Sequence, residues 1–169
     1  MIPAPAFFRE LFEYVRWGDH ECMLAARSVA DAEYYRDQQM SHGSLHKQLV
    51  HMMAAEWLWL SRWRGSPTAK PETVEDHPTR MALEQRWPLD HAAMLDFVAH
   101  QTPATLARNI TYKNSRGDLV TLPLASLMVH VIDHAAYHRG QVNTMIRRAG
   151  GQPRSISFHA YSLQKEKHW

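Results

Sequence analysis

The chain has 169 residues, enough for one domain with a sizeable core that needs no disulfide framework, and its single cysteine, Cys22, rules out an internal disulfide. A net charge of +2 with neutral histidines, with Lys and Arg dispersed rather than run together, gives no polyanion-binding signal, so no nucleic acid is expected as a partner. No stretch approaches the roughly 18 uncharged apolar residues of a membrane span, and the N-terminus lacks a basic region followed by a long apolar segment, so a cytoplasmic protein is expected.

Phe8, Leu11, Phe12, Val15, Cys22, Ala26 and Val29 keep a helical period and predict a first long amphipathic helix from about Pro5 to Ala30. Asp19 falls on the same apolar stripe. A carboxylate there either orients a buried histidine or substrate, or is a helix-edge residue paired with an arginine. Cys22 reads as core filling, because no Cys-x-x-Cys partner and no basic cluster accompanies it.

Residues 31 to 41 are polar and read as a connection, after which Ser41 or Ser44 can cap a second helix running to about Arg64. Leu45, Leu49, Met52, Trp59 and Trp63 form its inner stripe. Trp57 and Leu58 widen the apolar surface beyond what one neighbouring helix covers, which predicts a fourth wall or another subunit, with a homodimer as the expected assembly. His51 is placed to face the interior, whereas His46 and Lys47 are expected to face solvent. Glu56, near the inner stripe, is a candidate acid or base, or a partner for Arg62 or another cation.

Gly65 to Thr79, broken by Pro67, Pro71 and Pro78, reads as a linker in which His77 is solvated. A third helix is expected between Met81 and about His100, with Pro88 as its true first turn and the helix proper starting at Leu89. After Pro103 two β-prone runs, Ile110-Thr111-Tyr112 and Leu119-Val120-Thr121, flank a polar turn containing Gly117 and predict a small hairpin.

The last helix carries the chain's most unusual pattern. Thr121 and Pro123 mark its start, Arg147 and Arg148 complement its carbonyl end, and Gly150-Gly151 before Pro153 read as a left-handed cap and a stop. Within it His130, His134 and His138 climb one face a turn apart, sharing it with Leu127, Val131 and Met145. Burying an imidazole without a partner costs on the order of 1–3 kcal/mol, so the pattern demands hydrogen bonds or a metal ion. Gly140, beside the histidines, is expected to admit a neighbouring helix or ligand. The tail from Pro153 to Trp169 is mixed and expected to pack loosely across one bundle end.

Two histidines four residues apart on one helix face can bind one first-row metal ion. His130 and His138 are separated by about 12 Å of helix rise, so one ion cannot take all three. Either His130 with His134 or His134 with His138 supplies the pair, and a third ligand comes from another helix, where His51 faces inward at comparable depth. Imidazole ligands suit several divalent ions, Zn, Ni or Fe foremost.

The spacing of His51 in LVHMMAAEWLWL with HVIDHAAYHRGQ resembles the DinB-like (DinB/YfiT-like) proteins, and the match covers most of the chain. Its hallmark is the terminal His-Arg-Gly-Gln, here His138 to Gln141, supported by Trp17 in the first helix and a hairpin-like insert before the last. The resemblance implies a single all-α domain over residues 1–169, a four-helix bundle in up-down-down-up order with that small insert. It also implies a divalent metal ion on His51, His134 and His138, with His130 outside the ligand set. The linkers around the third helix, about 15 and 20 residues, span up to roughly 50–70 Å extended, which allows parallel neighbours. Where the family carries Trp-Ala-Asn, this chain has Trp17-Gly18-Asp19, and the tail lacks the family's acidic-aliphatic run.

Three neutral imidazoles leave the ion its full charge and an open position. The resemblance implies a metal-dependent enzyme of hydrolase or thiol-dependent S-transferase type acting on a small-molecule substrate, with a low-molecular-weight thiol as a possible partner. Glu56 and Asp19 are the candidate catalytic residues for that reading. The alternative is a non-enzymatic metal-binding stress-response protein, and a third reading leaves the histidines as hydrogen-bonded core residues.

Overall fold

The computed structural model describes residues 4–166 and consists of seven helices and a two-stranded sheet among them. In chain order these are α1 (Pro5–Ala26), α2 (Asp31–Tyr35), α3 (Leu45–Trp63), α4 (Arg80–Ala99), α5 (Pro103–Leu106), β1 (Asn109–Lys113), β2 (Leu119–Pro123), α6 (Leu124–Arg148) and α7 (Phe158–Glu166). The four long helices pack as a bundle in which α1 and α3 each lie against both α4 and α6. Among the described residues no helix is long and apolar enough to cross a membrane.

The apolar stripes meet in two layers. One layer joins Cys22 and Ala26 of α1, Leu45, Leu49 and Met52 of α3, Leu83 and Trp87 of α4, and Val142, Met145 and Ile146 of α6. The other joins Phe8 and Phe12, Trp59 and Trp63, Met94 and Val98, and Leu124, Leu127 and Val131 of the same four helices. Each large apolar side chain fully withdrawn from water contributes about 1.5–3 kcal/mol, so these layers dominate the stability of the fold. Cys22 is core filling as expected, and burial pushes its thiol far above the ordinary range.

Local signals account for most helix ends. Of the two candidate serines, Ser44 caps α3 by accepting from the Lys47 amide at 3.2 Å. The hairpin forms with Ile110 opposite Leu122 and Tyr112 opposite Val120, and β2 runs directly into α6 at Leu124. Gly150, at φ +77°, turns the chain out of α6 as the glycine pair predicted.

Several expectations are corrected. Pro88 lies inside α4, which begins at Arg80 under a Thr79 cap on the Ala82 amide. Leu83 and Trp87, both buried ahead of the proline, hold that turn in the core, and packing outweighs the lost hydrogen bond. The 31–41 connection contains α2, whose Tyr34 is fully buried, and α1 ends at Ala26 rather than Ala30. This segment and the linker cover His46, which is buried instead of solvent-facing and bonds the Tyr34 hydroxyl at 3.2 Å and the His77 carbonyl at 2.8 Å. His77 is itself paired with Glu72 rather than solvated. Nothing lies within 4 Å of a Cβ built on Gly140, so that glycine sits on the surface and admits no neighbour.

The tail is also more ordered than expected. Its helix α7 lies along α1, where Phe158 and Tyr161 pack on Tyr14, and Trp17 donates to Gln164 at 2.7 Å. Residues 167–169 of that tail lie outside the described residues.

Candidate metal centre

Neighbouring turns of α6 present His134 and His138, and the adjacent face of α3 presents His51. The three rings converge through their Nε2 atoms, with His138 Nε2 at 3.0 Å from His134 Nε2 and 3.2 Å from His51 Nε2. A metal about 2.0–2.1 Å from each nitrogen sets neighbouring ligands about 2.9 Å apart at a right angle and about 3.4 Å apart in a tetrahedron. The observed separations fall between those limits.

Hydrogen bonding alone does not account for this convergence. His138 Nδ1 lies 2.7 Å from Gln141 Oε1, to which it can only donate, so its proton is on Nδ1 and its lone pair is on Nε2. Gln48 reaches the same Nδ1 at 2.8 Å, and its amide oxygen is buried without another partner. A half-turn of that amide places the oxygen on Nδ1–H, giving the ring two acceptors that fix its tautomer. One lone pair on Nε2 then faces two other ring nitrogens, and it can accept from only one of them. A cation that takes a lone pair from each imidazole satisfies all three.

The electrostatics agree with that arrangement. Burial pushes His51 down to about 3, with the neighbouring rings of His42, His138 and His134 adding to the effect. Burial likewise lowers His134 to about 4, and it lowers His138 against the hydrogen bond that ring donates to Gln141. Neutral imidazole is the form that ligates a metal. His130 stands apart, exposed, edge-on to Trp59 at 5.1 Å and 5.9 Å from the His134 ring centre.

A fourth histidine joins the group. His42, in the turn before α3, stacks on His51 with ring centres 3.8 Å apart, and the ligand atoms of His42, His51 and His138 all lie within 4.8 Å of one another. A pocket of about 290 Å³ opens beside His42 and His51, walled by Val50 and Ala54 of α3 and by residues 71–75 of the linker.

The two carboxylates expected near such a centre are engaged elsewhere. Asp19 and Glu56 share His91 Nε2 at 3.3 Å each, deep between the helices. Asp19 also takes Arg139 Nη1 at 3.3 Å, and Glu56 accepts from Trp87 Nε1 at 3.0 Å, so Arg62 is not its partner. Burial would raise Asp19, but His91 and Arg139 outweigh it and hold the carboxyl below its usual range. Burial, reinforced by the Asp19 charge, raises Glu56 to about 7. His91 is lowered by burial, yet the two carboxylates more than offset this and carry it to about 9. Asp19 thus pairs with His91 and Arg139, and Glu56 shares His91 with it, so these carboxylates are held by a cation and hydrogen bonds between the helices, and the ligand atoms of Asp19, Glu56 and His91 also lie within 4.8 Å of one another.

Sequence reasoning did not find His42, which lies in a turn without periodicity, or His91 and Arg139 as partners of the two carboxylates. Gln48 was legible in principle, being one turn before His51 on the same helix face.

The model of the DinB family matches residues 4–167. The chain is also 20% identical over 168 residues to Protein DinB of Bacillus subtilis (strain 168), covering 95% of this chain and 98% of that protein. The chain belongs to the DinB family.

Proposed function

We propose that this DinB-family chain is a divalent-metal protein whose ion is held by His51, His134 and His138, and that it is a metal-dependent enzyme of hydrolase or thiol-dependent S-transferase type. The observation that carries the reading is His138 Nε2, at 3.0 Å from His134 Nε2 and 3.2 Å from His51 Nε2, on a histidine whose other nitrogen is committed to Gln141. Such an ion, zinc, nickel or iron, would supply Lewis acidity that promotes ionisation of water or of a small thiol. Gln48 and Gln141 orient His138, and the pocket beside His51 gives a small molecule access. The carboxylates that line this pocket are Glu72 and Glu75, so they, rather than Asp19 and Glu56, face a ligand there.

The engagement of Asp19 and Glu56 by His91, Arg139 and Trp87 favours a second reading, a metal-binding stress-response protein without catalysis. Elemental analysis of protein purified without added metal tests the common premise, with stoichiometric metal expected. Titration of the cobalt(II) form with a low-molecular-weight thiol then separates the two readings. A thiolate-to-metal charge-transfer band supports the transferase, and its absence together with no hydrolytic turnover on ester and amide panels would leave the second reading.

The finer topology belongs to the same proposal. The layer holding the end of α1 also holds the starts of α3 and α4 and the end of α6, which supports an up-down-down-up order. Trp57 and Leu58 remain half-buried on α3, which supports the homodimer expected from its broad apolar face.

A further inference from the structure

We infer that His42 is a fourth nitrogen donor, carried over the open coordination position by the turn before α3 and displaced when a small ligand enters the adjoining pocket. The inference rests on the three-histidine reading and adds to it a residue outside the helical histidine pattern.

The turn is built to hold its place. The Gly43 amide donates to the Met40 carbonyl at 2.8 Å, the Gln38 amide to the Gly43 carbonyl at 3.0 Å, and the Gln39 amide to Asp37 Oδ1 at 2.7 Å. Gly43 sits at φ +74°, a conformation that favours glycine, and directly after it Ser44 caps α3. The backbone on either side of His42 is therefore anchored to the helix that carries His51, and the freedom left is that of the His42 side chain.

The contacts on the His42 ring are with the proposed ligands. It stacks on His51 at 3.8 Å with an interplanar angle of 20°, and meets the edge of His138 at 5.7 Å. The stacked ring lies alongside the proposed ligands, and the ligand atoms of His42, His51 and His138 all lie within 4.8 Å of one another, which brings the ring within reach of an ion there. Rotation of the His42 side chain would aim a ring nitrogen at the open position. The reverse rotation carries the ring toward the pocket that His42 and His51 both line, and uncovers the position.

The test loads the full-length protein with cobalt(II) and compares the wild type with His42→Ala and His42→Phe. Phe keeps a flat ring for stacking on His51 but has no donor atom. Both variants are expected to retain cobalt with affinity lowered about tenfold or more. Both should show altered d–d absorption as oxygen replaces nitrogen, and both should bind azide more tightly than the wild type. Wild-type affinity, spectrum and azide binding in His42→Phe would overturn the inference, because His42 would then act by packing alone. His51→Ala and His138→Ala serve as controls. Loss of cobalt in both controls with no change in the His42 variants removes only the fourth donor, whereas retention in both removes the three-histidine reading itself.

Discussion

The guanidinium of Arg139 occupies the space that a side chain on Gly18 would need: a Cβ built there meets Arg139 Cζ and Nε at 2.9 Å. Gly18 and Asp19 therefore act together, the first admitting the arginine between α1 and α6 and the second binding it at 3.3 Å. They build a buried ion pair in the core, and Arg139 is fully enclosed there, its charge also lying over the Tyr14 ring at 4.6 Å.

Gly18→Ala is expected to destabilise the fold by about 1–3 kcal/mol, the usual cost of forcing extra volume into a packed core. Asp19→Ala should cost more, about 3–5 kcal/mol, because it leaves Arg139 buried without its carboxylate and His91 with Glu56 alone. Denaturant unfolding of both variants measures this, and a wild-type midpoint for Gly18→Ala would show that Arg139 repacks freely.

The same network predicts an alkaline loss of stability. His91 is raised to about 9 in the folded protein, so its contribution is fully present below the ordinary histidine range and is lost as pH rises through 9. The slope cannot exceed about 1.4 kcal/mol per pH unit for one proton. Unfolding free energies at pH 7 and 9.5 should differ in the wild type, and His91→Gln should flatten the difference. An equal slope in that variant would place the titrating group elsewhere.

Replacing His51, His134 or His138 by Ala should abolish stoichiometric metal, since two imidazoles and water hold a divalent ion poorly. His130→Ala should keep it, because that ring packs edge-on to Trp59 at the protein surface. Metal content of the four variants is the measurement. Full occupancy in His138→Ala with loss in His130→Ala would reassign the ligand pair, and full occupancy in all four would leave the histidines as core residues.

Gln48→Leu and Gln141→Leu remove the acceptors that fix the His138 tautomer. Each should lower metal affinity by about 10–100-fold while leaving the protein folded. Competition with a chromogenic chelator reads this directly, and unchanged affinity in both variants would mean that His138 needs no orientation from either amide.

Sedimentation at micromolar concentration should show a dimer that Trp57→Lys shifts toward monomer, because a charge on a half-buried apolar face opposes association. A monomeric wild type would instead make the apolar surface of α3 a feature of the single chain.

Periodicity and capping are local properties, which is why the sequence alone determined the long helices, the hairpin, a serine cap on α3 narrowed to Ser41 or Ser44, the glycine cap after α6 and the i, i+4 histidines. Helical spacing put both His130 and His138 one turn from His134 and left the choice between them open, and only the folded chain brought His138 Nε2 to 3.0 Å from His134 and 3.2 Å from His51. Long-range packing decided the rest. Pro88 stayed inside α4 because Leu83 and Trp87 were buried ahead of it, and His46 was enclosed by α2 and the linker, far from it in any helical repeat. Asp19 and Glu56 looked equally available for chemistry on their separate stripes, but only the assembled bundle brought His91 and Arg139 to them and removed them from the histidine centre. His42 carried no signal, because a turn has no period, and its place over His51 depends on a backbone fold that only the packed structure supplies.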